Sequence, residues 1–238
     1  MRKIKIDWNG VDAPDIYPFS IPAIASLGEI EFHPDVTFIV GENGVGKSTL
    51  IEAIAVAMGF GPEGGTKNVR IQSANDLSSL SNHLKLEKSF MRSKDNYFLR
   101  AESFYNVATY MDEVDYLCGY GGKSLHSRSH GEAFFSVLTE KLKGNGFYIF
   151  DEPEAALSPS RQMAALTAIH DLVLNESQFI IATHSPILMA YPNSTILVLE
   201  DNGISEVKYE NTEHYTITKD FLNRYPIMLK YLFDERDA

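Results

Sequence analysis

Residues 36–58, VTFIVGENGVGKSTLIEAIAVAM, constrain the fold of this chain more than any other stretch. A mainly apolar run predicts a buried strand, and the spaced apolar residues after Lys47 predict a helix. The G-x-x-x-x-G-K-S spacing between them suits a loop whose backbone N–H groups turn inward around an anion at a helix N-terminus. This predicted phosphate-binding loop (P-loop) consists of Gly41, Glu42, Asn43, Gly44, Val45, Gly46, Lys47, Ser48 and Thr49.

The P-loop predicts a nucleotide together with Mg²⁺. In this motif a lysine reaches the β- and γ-phosphates, and the following hydroxyl binds the metal ion. We therefore assign the first role to Lys47 and the second to Ser48. The alternative, a glycine turn that only caps a helix, does not explain why strand, loop and helix follow in this order.

Two carboxylates follow the apolar run FYIF at residues 147–150. Ligands of parallel α/β sheets bind where strands end, so Asp151 is placed to bind Mg²⁺ and Glu152 to polarise an attacking water. The alternative is a helix N-terminus that carries acidic residues, which Pro153 and Glu154 also suit. Behind a P-loop, the functional interpretation is favoured.

A histidine follows the apolar strand pattern QFIIAT at residues 178–183. We expect His184 to lie beside the other strand ends and to hydrogen-bond the γ-phosphate. A lone histidine at a strand end is more often a polar cap. Its position behind the P-loop and the paired acids favours catalysis.

The tetrapeptide SHGE, residues 129–132, admits a nucleophile beside a base, an acid/base or metal cluster, or a group that acts in another subunit. A serine hydrolase needs a G-x-S-x-G elbow or a comparable triad context, and neither is present. P-loop, Ser-x-Gly-Glu, apolar strand with Asp-Glu-Pro and strand with His together resemble the ATP-binding-cassette (ABC) class of ATPases. The resemblance spans roughly residues 25–205.

The resemblance implies an ATP-dependent homodimer with two bound ATP molecules. In that class the signature segment closes over the ATP held by the opposite subunit, which assigns this contact to Ser129, His130, Gly131 and Glu132. His130 replaces the usual glycine. Residues 155–158, AALS, stand where the class has its D-loop, with Ser158 in place of Asp. For the Q-loop, Glu102 is slightly favoured over Gln72.

The bulk composition bounds the cellular role. The 238 residues carry a net charge of −11 and short basic clusters only, which leaves nucleic-acid contact open but does not favour it. We expect a cytoplasmic protein, because no apolar run is long enough for a membrane span, no secretory signal is evident, and Cys118 is the only cysteine.

Alternating strand and helix patterns predict an α/β fold: a P-loop NTPase three-layer sandwich of ABC-ATPase type. We expect one domain over residues 1–238, with a small antiparallel β portion and a helical sub-lobe at about 60–145. The predicted strands are residues 4–8, 29–32, 36–40, 97–104, 146–150, 178–183 and 195–200. The predicted helices are residues 47–58, 76–91, 130–142, 158–174 and 218–233.

The favoured function is a soluble ABC-type ATPase of the SMC and DNA-repair branch, which signals to a protein partner. DEPEAALS resembles that branch and also compact stand-alone bacterial ATPases. DNA repair and genome defence enter through the resemblance alone. One alternative is the nucleotide-binding subunit of an ABC transporter, and another is a monomeric P-loop kinase or nucleotide switch.

Overall fold

The computed structural model describes residues 1–69, 79–90, 93–116 and 118–234. Its strands are β1 (Lys3–Ile6), β2 (Ile30–Glu31), β3 (Val36–Val40), β4 (Leu84–Glu87), β5 (Asp95–Arg100), β6 (Gly146–Asp151), β7 (Gln178–Ala182), β8 (Thr195–Glu200) and β9 (Gly203–Val207). Its helices are α1 (Pro22–Ala25), α2 (Lys47–Ala57), α3 (Phe104–Glu113), α4 (His130–Ser136), α5 (Pro159–Leu174), α6 (Pro186–Met189) and α7 (Glu213–Asp234). The predicted α/β class is confirmed.

The main sheet has six strands in the order β5-β6-β7-β3-β8-β9. The first five of these are parallel to one another, and β9 pairs antiparallel with β8. The register places Arg100 opposite Asp151, and Asp151 opposite Ala182. The carboxyl ends of β5, β6 and β7 therefore meet at one edge of the sheet.

Both faces of this sheet are covered by other elements. Because successive side chains of a strand point to opposite sides, each strand contributes to two separate cores. Along β3, Phe38 packs into a core shared with α3, α4, α5 and α6. Its neighbour Ile39 packs into a second core, which α1, α2 and the small sheet complete. These two cores produce the predicted three layers.

The small antiparallel sheet has the order β2-β1-β4, as expected for the N-terminal strands. The helix predicted at 76–91 is wrong over its described part, because residues 79–83 form a 3-10 turn and Leu84–Glu87 form β4, which pairs with β1. Residues 76–78 and 91 lie outside the described residues. The sequence LKLE alternates apolar and polar residues, and Leu84 and Leu86 pack against the second core. Period two over four residues favours a strand.

Other boundaries also differ from the prediction, among them the start of the C-terminal helix, which is Glu213 rather than residue 218. The strand predicted at 97–104 ends at Arg100, and Phe104 instead begins α3. The predicted helix at 130–142 is observed as α4, His130–Ser136, followed by a π-helical turn, Val137–Lys141.

The C-terminal helix α7 is bent and largely uncovered. Its backbone departs from helical geometry at Arg224, two residues before Pro226, which cannot donate the backbone hydrogen bond of a regular helix. Beyond its first turn, α7 exposes large apolar side chains: Ile217, Phe221, Leu222, Tyr225, Ile227, Tyr231, Leu232 and Phe233. Within the described part of the chain, no helix is long and apolar enough to cross a membrane.

Candidate functional site

The P-loop connects β3 to α2 and requires glycine at both ends. Gly41 has a φ of +148°, and a Cβ there would lie 2.4 Å from the carbonyl oxygen of Leu199. Gly46 caps α2 in the left-handed conformation, with a φ of 107°. Since an L side chain would be strained at both positions, the loop keeps a backbone that can approach a ligand closely.

Lys47 is folded back over this loop. Its Nζ donates hydrogen bonds to the carbonyl oxygens of Gly41, at 2.9 Å, and Glu42, at 2.8 Å. Burial lowers the pKa of Lys47, and the negative charges of Glu152 and Asp151 oppose that shift. The loop therefore holds a partly desolvated ammonium group, whose positive charge would attract an anionic ligand.

Asp151 ends β6 and is only 4% exposed. It accepts a hydrogen bond from Ser48 Oγ at 3.3 Å. Burial raises the pKa of Asp151 from 3.8 to about 6, and the guanidinium of Arg100 acts in the opposite direction. A carboxylate and a hydroxyl oxygen thus meet beside the P-loop, and oxygen ligands of this kind suit Mg²⁺.

Arg100, which sequence analysis missed, lies on the neighbouring strand. It donates to Glu52 Oε2 at 2.7 Å and to Glu102 Oε2 at 3.1 Å, and its Nε is 3.7 Å from Asp151 Oδ2. Glu102, the favoured Q-loop residue, is exposed and bonded to this arginine. Gln72, the other Q-loop residue considered, lies outside the described residues.

Glu152 and His184 face each other across the ends of β6 and β7. The Nε2 of His184 is 3.8 Å from Glu152 Oε1, and it is buried without a hydrogen-bond partner in the described structure. Glu152 adopts the left-handed conformation, with a φ of 52°. Burial lowers the pKa of His184, and the charge of Lys47 acts in the same direction. A neutral imidazole thus presents a free nitrogen beside a carboxylate.

Glu154 joins the two loops that carry these groups. Its carboxylate accepts hydrogen bonds from the Thr183 hydroxyl, at 2.7 Å, and from the His184 backbone N–H, at 2.5 Å. Burial raises its pKa, and these hydrogen bonds oppose the shift. Sequence analysis treated Glu154 only as an acid suited to a first helical turn, whereas the structure makes it an anchor for His184.

The SHGE segment begins α4. Ser129 caps the helix in a capping box with Glu132, and Glu132 Oε1 is 3.5 Å from Arg161. A Cβ on Gly131 would lie 2.8 Å from the carbonyl oxygen of Ala156, so the helix start packs closely on the D-loop segment. Among the described residues, the hydrogen bonds and ion pairs of SHGE do not reach the P-loop of the same chain.

Two aromatic residues upstream of the P-loop, Tyr17 and Phe19, differ in their access to it. Tyr17 is 63% exposed, and its hydroxyl lies 3.3 Å from Thr49 Oγ1, next to the start of α2. Phe19 is buried and packs edge-on against Trp8. Of the two, Tyr17 is the residue that can contact a ligand in the P-loop.

Replacing Asp151 with asparagine should stabilise the folded protein in the absence of nucleotide. The folded-state pKa of about 6 lies above the usual 3.8, so the buried charge destabilises the fold at neutral pH. That cost is fully present above the folded pKa and is lost as pH falls toward 4. We expect Asp151→Asn to raise the free energy of unfolding by about 2 kcal/mol near neutral pH.

Urea denaturation near pH 7.5 and near pH 4 would measure this effect. The gain should be present at the higher pH and absent at the lower. A loss of stability at neutral pH would show instead that the pair with Arg100 outweighs the desolvation of the carboxylate.

The strand–loop–helix and the two carboxylates at the carboxyl end of β6 define an α/β protein of the P-loop class. A family model described as an AAA domain matches residues 21–116, which include the P-loop. No curated protein shows a significant match to the chain.

Several solved structures are similar at low sequence identity. CbiO1 from Clostridium perfringens, part of the ABC transporter complex CbiONQ, is 21% identical over 88% of this chain and 92% of that chain, with a TM-score of 0.46. The SMC head domain from Thermotoga maritima is 17% identical over 77% and 95%, with a TM-score of 0.43. A nucleotide-free ATP-binding cassette from an ABC transporter is 19% identical over 83% and 89%, with a TM-score of 0.44.

Proposed function

We propose that this chain is an ABC-type ATPase that binds and hydrolyses Mg-ATP at composite sites formed by two copies. One observation carries the proposal: Lys47, Ser48, Asp151, Glu152 and His184 converge at one edge of the sheet. A P-loop lysine, a Ser–Asp oxygen pair, and a carboxylate facing an imidazole are the groups that phosphoryl transfer to water requires.

The residues present fit ATP and Mg²⁺. Backbone N–H groups of the P-loop and Lys47 would hold the phosphates, while Ser48 and Asp151 would hold the metal ion. Bound Mg²⁺ supplies charge neutralisation on the phosphate oxygens. Tyr17, beside Thr49, would support the adenine ring. The unpartnered Nε2 of His184 supports this fit, because a buried polar atom without a partner costs free energy that a ligand can recover.

Glu152 and His184 would carry the chemical step. Glu152 would accept the proton of the attacking water, a general-base role that its carboxylate can fill beside the phosphates. His184 would donate from Nε2 to the γ-phosphate and hold it in line with that water.

The second copy would complete the site through SHGE. Ser129, His130 and Glu132 are exposed, and the N-terminus of α4 presents a positive dipole end. Because SHGE packs on its own D-loop segment rather than on its own P-loop, it is available to another subunit's nucleotide. ATP would then close the dimer, and hydrolysis would reopen it.

We further propose that residues 1–238 act as one cytoplasmic domain with a helical sub-lobe at about 60–145. The change between open and closed dimers would signal to a protein partner, with DNA repair or genome defence as roles suggested by the resemblance alone. A transporter subunit would instead co-purify with a membrane protein, and a monomeric switch would not need Ser129.

Replacing Lys47 with alanine should weaken ATP binding by about 100-fold, because it removes charge-assisted hydrogen bonds to the phosphates. Isothermal titration calorimetry with Mg-ATP would measure the change. Lys5→Ala, which removes an exposed lysine from β1, is the matched control and should bind normally. Unchanged affinity in Lys47→Ala would disprove the P-loop assignment.

A further inference from the structure

His184 touches the C-terminal helix through a second histidine. Its Nδ1 lies 2.8 Å from Nε2 of His214, in the first turn of α7, and the ring centroids are 5.0 Å apart. The backbone N–H of His184 is held at the same time by Glu154. The imidazole is thus held at its backbone and at Nδ1, and only Nε2 remains without a hydrogen-bond partner among the described residues.

The surroundings of His184 select one of its two neutral forms. Burial lowers the pKa of both His184 and His214, so each ring carries a single N–H near neutral pH. With the proton on Nδ1, the lone pair of Nε2 would face the carboxylate of Glu152, 3.8 Å away. With the proton on Nε2, that N–H faces the carboxylate instead, which is electrostatically favourable.

We propose that His214 is a positioning residue that holds His184 in the form protonated at Nε2. In that form His184 Nδ1 is a hydrogen-bond acceptor, so His214 must donate from its own Nε2 across the 2.8 Å contact. A second ring nitrogen commonly fixes the tautomer of a functional histidine through the hydrogen bond it makes.

This inference rests on the proposed function for its catalytic consequence. A donor at Nε2 is what a γ-phosphate oxygen needs, whereas a lone pair at Nε2 would repel it. The contact between His184 and His214 also couples the site to α7. This helix is bent at Arg224 and exposes apolar side chains such as Leu222 and Tyr231. A displacement of the first turn of α7 would break the contact at His214 and release the tautomer of His184.

Two substitutions at residue 214 separate hydrogen bonding from packing. His214→Gln retains an amide N–H at about the position of Nε2, whereas His214→Leu retains volume without a donor. We expect His214→Leu to lower kcat for ATP about tenfold, with KM changed less than about twofold, because the loss affects orientation rather than nucleotide binding. His214→Gln should recover kcat to within about threefold of the wild-type value.

The tautomer itself can be observed without nucleotide. Nitrogen-15 NMR of the imidazole rings, with the His184 signals assigned through His184→Gln, should show Nε2 protonated in the wild type and in His214→Gln. In His214→Leu the two forms should mix. Thr218→Ala, an exposed change one helical turn further along α7, should alter neither the spectrum nor kcat.

Equal losses of kcat in the Gln and Leu variants would overturn the inference, because they would indicate packing alone. An unchanged His184 spectrum in His214→Leu would also overturn it. A wild-type protein that hydrolyses no ATP would refute the proposed function, while the spectra would still decide the role of His214.

Discussion

Replacing Glu152 with glutamine is expected to lower ATP turnover by a factor of about 10² to 10⁴, with ATP binding close to the wild-type value. Glutamine keeps the shape of the side chain but cannot accept the proton of the attacking water. Lys47 and the P-loop backbone, which would hold the phosphates, are unchanged. Phosphate release under single-turnover conditions would measure the chemical step directly.

The same variant should trap the proposed closed dimer. If Glu152 is the general base, Glu152→Gln with Mg-ATP should retain uncleaved nucleotide and double its solution mass in light scattering. Glu206→Gln, an exposed change on β9, is the matched control and should turn over ATP normally. Wild-type turnover in Glu152→Gln would remove Glu152 from the proposed mechanism.

The parts of the site that sequence predicts best are contiguous in the chain. Gly41 to Thr49 form one motif, and its strand and helix lie beside it, so local pattern locates the loop and its flanking elements. Asp151 follows a run of apolar residues whose end is visible in the sequence. Parallel strands then bring such ends together, since in a parallel sheet all strands point the same way.

The residues that sequence analysis missed depend on contacts between distant parts of the chain. Arg100 reaches Asp151 only because β5 and β6 pair in a particular register. His214 reaches His184 only because α7 begins beside the end of β7. A sequence pattern indicates which residues are buried and whether they repeat with the period of a strand or a helix. It does not indicate which side chains from different elements come into contact.

Glu154 and β4 illustrate the same limit in different ways. An acid after Pro153 fits a helix start equally well, and only the hydrogen bonds from Thr183 and His184 reveal its structural role. In β4 the local signal was present, because Leu84 and Leu86 alternate with polar residues. The prediction of a longer helix at residues 76–91 took precedence over this four-residue alternation.

The proposed composite site predicts that two inactive variants restore activity when mixed. Lys47→Ala should lose ATP binding at its own P-loop. Ser129→Arg should place a bulky cation where the partner's γ-phosphate would lie. In a mixed dimer, the P-loop of the Ser129→Arg chain faces the intact SHGE of the Lys47→Ala chain. One of the two symmetric sites is then wild type, while the other carries both defects.

With random pairing of equal amounts, half of the dimers are mixed and half of their sites are intact. The mixture should therefore regain about a quarter of the wild-type rate if the two sites work independently. Steady-state ATPase assays of each variant alone and of the mixture would measure this. Ser129→Arg alone should still bind ATP through its own P-loop, which shows that the chain is folded despite its altered helix cap.

Placing both defects on one chain tests whether the recovery comes from a site shared between two subunits. A chain with both Lys47→Ala and Ser129→Arg, mixed with an equal amount of wild type, gives mixed dimers in which each site carries one defect, so these dimers should contribute no activity. Only the wild-type homodimers, about a quarter of all dimers, stay active, so adding the double variant should lower the rate to about half of what the same amount of wild type gives alone. A monomeric ATPase predicts the opposite: Ser129→Arg would be active alone, and mixing would add nothing. A gain of activity when the two defects lie on separate chains, together with a loss of wild-type activity when both lie on one chain, requires Ser129 to act on the nucleotide of the other subunit, because no arrangement within one chain can produce both results.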